Sequence, residues 1–240
     1  MPRDPLMEPI ILWTRPQRES EASAQAARLR CPPHQAVIAP LFRIVPAKYD
    51  PAVFDGAKGL ILTSANAVPG LPALGALKTW CVWRKTAAAA REAGLDAIAA
   101  GREAGELIDV LRAERPEGPL VYAHGVHWSR DIVAALPELT IHGVAVYESR
   151  ACPIPADLSD RLSRAGRVYA PLYSARAATE LARQPGVVSL SGLVPVAISD
   201  ACADALPQPL RARAIIASGP NGDAVIGALA EAMSQDAPAA

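Results

Sequence analysis

One strand-turn-helix pattern occurs twice in this chain of 240 residues. An apolar run, a hydroxyl residue and small helix-starting residues follow one another in Leu60-Ile61-Leu62-Thr63-Ser64-Ala65-Asn66-Ala67-Val68. The same order returns in Val168-Tyr169-Ala170-Pro171-Leu172-Tyr173-Ser174-Ala175-Arg176-Ala177-Ala178. Each copy is followed by a second apolar run ending in a small or hydroxyl-bearing helix start. These are Trp80-Cys81-Val82-Trp83-Arg84-Lys85-Thr86-Ala87-Ala88 and Val194-Pro195-Val196-Ala197-Ile198-Ser199-Asp200-Ala201-Cys202-Ala203. A third helix start follows in each, at Gly105-Glu106-Leu107-Ile108 and Gly222-Asp223-Ala224-Val225. The repetition predicts an α/β fold of two related domains, with parallel sheets flanked by helices. Helix N-termini carry unpaired N–H groups and partial positive charge, so two facing sets of strand-to-helix turns would make a cleft suited to a polyanion.

The order of elements sets the domain boundaries. Ile10-Ile11-Leu12-Trp13 reads as a buried parallel strand, followed by a helix from about Glu19 to Arg30 and a second strand at Ala36-Val37-Ile38-Ala39. That β-α-β unit is too small to fold alone. Pro40 and Pro46 bracket the extended segment Leu41-Phe42-Arg43-Ile44-Val45, and a second extended segment, Val144-Ala145-Val146-Tyr147-Glu148-Ser149-Arg150, ends before Pro153 and Pro155. Between the two lie strands at Leu60 to Leu62, Thr79 to Val82, Ala97 to Ala99, Leu120 to Tyr122 and His142 to Val146, with helices between them. Strands near Arg167 to Ala170, Leu193 to Val196 and Arg213 to Ile216 follow the second segment. The simplest arrangement inserts a domain of residues 46–146 into an outer domain built from 1–42 and 150–240. Two antiparallel connectors join them and form a hinge. The tail from Ser234 to Ala240 reads as disordered.

Charge and cysteine usage narrow the function classes. The 24 Lys and Arg balance the 24 Asp and Glu, so no global field gathers nucleic acid or an anionic membrane. Any anionic ligand must be held locally. Cys31, Cys81, Cys152 and Cys202 form no Cys-x-x-Cys pair, and Met1-Pro2-Arg3-Asp4-Pro5 has no apolar signal core. Prolines and charges interrupt every candidate membrane span. A reduced cytoplasmic protein is expected. No Gly-x-Gly-x-x-Gly or Walker loop follows a strand, which disfavours nucleotide binding. A hinged periplasmic-type receptor would share the architecture but would need a signal peptide.

Thr14-Arg15-Pro16, Thr63-Ser64-Ala65-Asn66-Ala67-Val68, Lys85-Thr86-Ala87 with Ala93-Gly94-Leu95, and Val146-Tyr147-Glu148 occur in this order. Together they resemble the uroporphyrinogen-III synthase family, through almost the whole chain. The resemblance implies a cofactor-free lyase of haem and related tetrapyrrole biosynthesis. Its substrate is hydroxymethylbilane, a linear tetrapyrrole with eight carboxylates. Loss of the terminal hydroxyl gives an azafulvene cation, and the far ring attacks at its already substituted carbon. A spiro intermediate then rearranges, and the macrocycle closes with ring D inverted. Without the enzyme the bilane closes to the symmetrical isomer I, so the catalyst selects a geometry more than it supplies a strong acid or base. A monomer is implied, with the upstream bilane-producing enzyme as a partner and no nucleic acid or membrane.

Carried onto this sequence, the resemblance makes Tyr147 the catalytic residue, a phenol assisting departure of the hydroxyl; the structural alternative is a tyrosine packed at a strand end. A phenol can donate to a leaving oxygen without ionising. The substrate-binding candidates are Arg15, Ser64, Ala65, Asn66, Thr86, His124, Gly125, Ser174, Ala175 and Cys202. Ser64, Ser174 and Thr86 serve equally as helix caps, Arg15 as a surface arginine, His124 as a loop histidine, and Lys85 is a weaker candidate. His124-Gly125-Val126-His127 lacks a third ligand, so no metal is expected. The chain departs from the family at two places. Trp83-Arg84 stands where Gly-Pro is usual, and Ser199-Asp200-Ala201-Cys202 where glycine and threonine are typical. Glycine permits positive φ and close ligand approach, and Asp200 would repel a carboxylate. These departures motivate a second reading, a catalytically degenerate relative that binds a tetrapyrrole or acts as an interaction module.

Overall fold

Apolar runs such as Ile10–Trp13 and Gly59–Leu62 are buried at every position, as strands covered on both faces must be. The computed structural model describes residues 8–127 and 131–236. Its strands are β1 (Ile10–Trp13), β2 (Gln35–Ile38), β3 (Phe42–Pro46), β4 (Gly59–Leu62), β5 (Lys78–Val82) and β6 (Asp96–Gly101). They continue as β7 (Leu120–Gly125), β8 (Ile141–Ala151), β9 (Val168–Leu172), β10 (Leu193–Ala197) and β11 (Ile215–Ile216). The helices are α1 (Gln17–Arg28), α2 (Arg84–Glu92), α3 (Ala104–Glu114), α4 (Ile132–Ala135) and α5 (Ala156–Arg164). After these come α6 (Ala175–Arg183), α7 (Asp200–Asp204), α8 (Gln208–Arg211) and α9 (Gly222–Gln235).

The chain divides into two units, one of residues 1–43 and 151–240, the other of residues 44–150. It passes between them inside β3 and near the end of β8, strands that neighbour each other in one sheet. The Ala47 N–H donates to the Val146 carbonyl at 3.1 Å and the Cys152 N–H to the Leu41 carbonyl at 2.8 Å. Partners that move in opposite directions along the two strands give this pair antiparallel sense.

In the first unit five strands run in the order β11-β10-β9-β1-β2, and their ladders are parallel. Alternation within β1 divides the core. Ile10 and Leu12 pack with Leu162, Ala178, Leu181, Cys202 and Leu210, whereas Ile11 and Trp13 pack with Ala24, Ala27, Val225 and Leu229. Helices α5 to α8 thus cover one face and α1 and α9 the other.

The second unit has the order β3-β8-β7-β4-β5-β6, with β4 to β8 joined by parallel ladders. Leu60 and Leu62 face a layer with Ala87 and Ala90 of α2, while Ile61, Trp80 and Tyr122 face Leu107, Ile108 and Leu111 of α3. Two register shifts interrupt these ladders, between Cys81 and Val82 and between His124 and Gly125. Both lie at carboxyl ends of strands.

The expected α/β fold class, with parallel sheets flanked by helices, is present. Several local expectations need correction. The segment after β4 is a 3₁₀ helix, Ala65–Gly70, with Pro69 inside it; a proline ring and missing N–H cannot continue an α-helical ladder. The strand expected at His142 to Val146 and the following extended segment are one strand of 11 residues, β8. Ser234 and Gln235 belong to α9, so the tail is helical that far; residues 237–240 lie outside the described residues, as do the first seven.

Candidate functional site

Strand order places the site. From β4 the chain moves outward through β5 to β6, then returns to the other side of β4 for β7 and β8. Connections that leave in opposite directions open a crevice at the carboxyl ends of the two central strands. A cleft of about 360 Å³ lies there, lined by residues following β4, β5 and β6 together with His124, Gly125 and Tyr147.

Tyr147 belongs to β8 and stands beside Gly125 in register. A Cβ added at Gly125 would lie 2.7 Å from Tyr147 Cζ and 3.0 Å from its phenol oxygen. Those distances are far below contact, so only glycine lets the ring rest on the β7 backbone. The register shift between His124 and Gly125 is the local cause of this juxtaposition, because an extra residue re-aims the side chains after it.

Tyr122 is buried, and its hydroxyl lies 3.1 Å from the Thr63 hydroxyl. Burial pushes the Tyr122 phenol up, opposed by the Thr63 hydrogen bond, so Tyr122 stays a neutral donor at physiological pH. His124 is only 5% exposed, tilts against Tyr122 with ring centroids 4.8 Å apart, and has Nδ1 2.8 Å from the Gly125 carbonyl. An acceptor at that distance assigns the proton to Nδ1. Burial draws the His124 imidazole down, with the Gly125 carbonyl and Asp131 opposing. The cleft thus offers hydroxyls at Thr63, Ser64, Tyr122 and Tyr147, and imidazoles at His124 and His127. Ser64 accepts from the Asn66 N–H at 3.2 Å and caps the 3₁₀ helix from the cleft wall.

Trp83 occupies the turn between β5 and α2, directly after the other register shift. Its backbone has φ 69° and ψ 144°, a region nearly reserved for glycine. Holding a bulky residue there costs on the order of 1–3 kcal/mol. Its N–H donates to the Gly101 carbonyl at 2.7 Å, tying the strained turn to β6. Arg102, Glu103 and Ala104 complete this wall, where α3 starts.

Of the sequence-derived candidates, Tyr147, Ser64, His124 and Gly125 line the cleft. Ala65 and Asn66 follow in the 3₁₀ helix, half-buried and exposed, outside the lining. Thr86, expected at the very start of its helix, is the third residue of α2 and 4% exposed, facing the interior. Lys85 is exposed beside it.

The remaining candidates belong to the first unit, where β1 and β9 are the central pair and make the same switch. Arg15 follows β1; its guanidinium lies over the Tyr173 ring at 4.3 Å and reaches the Ser23 hydroxyl at 3.4 Å. Ser174 caps α6, accepting from the Ala177 N–H at 3.1 Å, and Ala175 is the first residue of that helix. Cys202 is 1% exposed in the core; burial raises its thiol pKa, and its sulfur lies 3.6 Å from the Leu172 carbonyl. That environment suits a packed thiol more than a ligand contact. Asp200 begins α7, where an acid favours the helix dipole.

Thr63, Tyr122, Trp83, Arg102, Glu103 and His127 line the cleft without having been named as site residues. All but Tyr122 lie at or beyond a strand's carboxyl end, the general ligand-binding location of open parallel sheets. Among the described residues, no group of three or more His, Cys, Asp or Glu could hold a metal ion, and no helix is long and apolar enough to cross a membrane.

The family model "Uroporphyrinogen-III synthase HemD" matches residues 23–227. The fold is similar to that of the uroporphyrinogen-III synthetase of Helicobacter pylori, with a TM-score of 0.59 and 17% identity over 94% of this chain and 98% of that one. A mutant uroporphyrinogen III synthase of Thermus thermophilus aligns over 95% of this chain and 100% of that one at 16% identity, with a TM-score of 0.49. No curated protein matches the sequence.

Proposed function

The chain belongs to the uroporphyrinogen-III synthase family, and we propose that it converts hydroxymethylbilane to uroporphyrinogen III, with inversion of ring D and loss of water. Family membership implies an enzyme of haem biosynthesis acting on a tetrapyrrole. The finer reading is a cofactor-free lyase with Tyr147 at the reacting carbon. It is supported chiefly by one observation: the Tyr147 phenol rests on the side-chain-free backbone of Gly125 at the wall of a switch-point cleft.

The chemistry follows from what such a phenol can do. The C–O bond of the hydroxymethyl group breaks with its electron pair going to oxygen, and Tyr147 stabilises that oxygen by donating a hydrogen bond. The azafulvene left behind is attacked by ring D at its substituted carbon, the spiro intermediate rearranges, and a ring proton is lost at closure. Hydroxyl and proton together make the water released. Thr63, Ser64 and Tyr122 can bind carboxylate arms through neutral donors, which fix the chain without competing for the proton. Arg15, Ser174 and Ala175 of the first unit, with Asn66 and Ala65 of the second, remain proposed contacts for the rest of the substrate, whereas the side chains of Cys202 and Thr86 are packed inside. The protein is proposed to work as a cytoplasmic monomer supplied by the upstream bilane-producing enzyme.

Tyr147→Phe tests the assignment against freshly generated hydroxymethylbilane, with oxidised products separated chromatographically. Formation of isomer III should fall about 10²-fold, the low end for a positioned donor, and product should shift toward isomer I. Full rate with pure isomer III would make Tyr147 structural. The strained Trp83, in the position where the family favours glycine, motivates the second reading, a non-catalytic tetrapyrrole-binding relative. Wild-type protein that yields only isomer I would establish it.

A further inference from the structure

We propose that Trp83 is a specificity-determining platform of this cleft, stacking its indole on a flat pyrrole-type ring of a polycarboxylate ligand. The proposal rests on the tetrapyrrole reading above and deepens it. A strained backbone persists where its surroundings or its function repay it. Packing does not repay it here: Trp83 is 57% exposed, whereas Trp13 and Trp80 are at most 1% exposed in the cores. The turn is nonetheless held firmly, by the register shift between Cys81 and Val82 and by the hydrogen bond from Trp83 to Gly101. An exposed indole on a rigid backbone mount suits ligand contact, since the turn that carries it need not be ordered on binding.

The surroundings select the ligand. Trp83 shares the cleft with the rings of Tyr122, Tyr147 and His124, an aromatic lining that favours offset stacking with a flat heteroaromatic ring. The same cleft holds the cation of Arg102, beside the anion of Glu103, and the hydroxyls of Thr63 and Ser64; the guanidinium and the hydroxyls suit carboxylate arms on that ring. A ring with acidic arms meets both requirements, and an aliphatic polyacid meets only one.

The test uses titration calorimetry with uroporphyrin I, a stable octacarboxylate tetrapyrrole, on wild-type protein, Trp83→Gly and Trp83→Phe. Glycine relieves the backbone, so Trp83→Gly should melt at or above the wild-type Tm while its Kd rises about ten-fold, as for loss of one stacked ring. Trp83→Phe keeps a ring and should lose less than about three-fold. Equal affinity of Trp83→Gly and wild type, an equal loss in both variants, or no wild-type binding would each overturn the proposal. The isomer assay is read separately. Binding through Trp83 by a wild-type protein that forms only isomer I removes the synthase reading and leaves this inference standing. Isomer III from a wild type whose affinity ignores Trp83 removes this inference alone.

Discussion

Gly125 carries the sharpest prediction at the scale of single residues. A methyl group there would meet the Tyr147 ring at 2.7 Å, so Gly125→Ala must push the phenol or the end of β7 aside. A displacement of about 1 Å at a reacting centre costs on the order of 10²-fold. Turnover to isomer III should therefore fall about as far as in Tyr147→Phe although the tyrosine is intact, and single-turnover kinetics with isomer analysis would show it. His124 gives a pH dependence. Its folded pKa is drawn below the ordinary value of 6.5 by burial, so as pH falls below about 6.5 the unfolded chain binds a proton that the folded chain resists. Stability present above that value is lost on acidification toward the folded pKa. Urea unfolding between about pH 7 and pH 5 should show a shallower decline for His124→Gln than for wild type. The lining of the candidate cleft was partly legible in the sequence, because Ser64, His124, Gly125 and Tyr147 carry a strand-end or family pattern. Arg102 and Glu103 were not, since no side-chain pattern marks a residue whose position follows from strand order. Tyr122 reads in sequence as one more apolar strand residue.

At the scale of elements, polar contacts fix where packing alone would let a helix slide. The Asp236 carboxylate, at the end of α9, accepts from the Tyr169 hydroxyl at 2.6 Å and from Arg167 at 2.8 Å, tying the helix to β9. The Tyr169 hydrogen bond, with help from Arg167, holds the Asp236 carboxyl below its usual range. A depressed carboxylate pKa gives stability that is present above the unfolded value and is lost as pH falls through the folded one. Asp236→Asn should cost about 1–2 kcal/mol at neutral pH, discounted for partial exposure, and almost nothing well below the folded pKa. Denaturant melts at both pH values check it. Strands were the most legible elements: Ile10 to Trp13 is the observed β1, and Leu193 to Val196 falls one residue short of β10. Helix starts were less so, because a small or hydroxyl residue caps a 3₁₀ turn as readily as an α-helix. After Ser64, Pro69 decides between them, and Gly70 fits so closely against the Val146 carbonyl that a Cβ would lie 2.5 Å from it.

At the scale of the whole molecule, each unit has apolar clusters on both faces of its own sheet. The second unit begins and ends in neighbouring strands, so cutting it out leaves its two ends side by side. A fragment of residues 42–151 should fold alone, with a cooperative melt and an α/β circular dichroism spectrum. A fragment that stays unfolded would mean that the two units form one cooperative body. The duplicated pattern made two related halves legible. The units divide near residues 43 and 151, the first point between Pro40 and Pro46 and the second just before Pro153 and Pro155.

The paired passage through β3 and β8 also determines how the molecule would bear force. Tension applied between residue 10 and residue 235 is carried first by the contacts at the amino end of β9, where Ile10 pairs with Val168 and Asp236 holds Arg167 and Tyr169. The inserted unit lies outside that load path as a closed side loop and stays slack until those contacts open. Only then does the pull reach β3 and β8, drawing their adjacent ends apart and opening the ribbon one hydrogen bond at a time. A stretched molecule would therefore yield in a fixed order, the outer unit first and the cleft-bearing unit last.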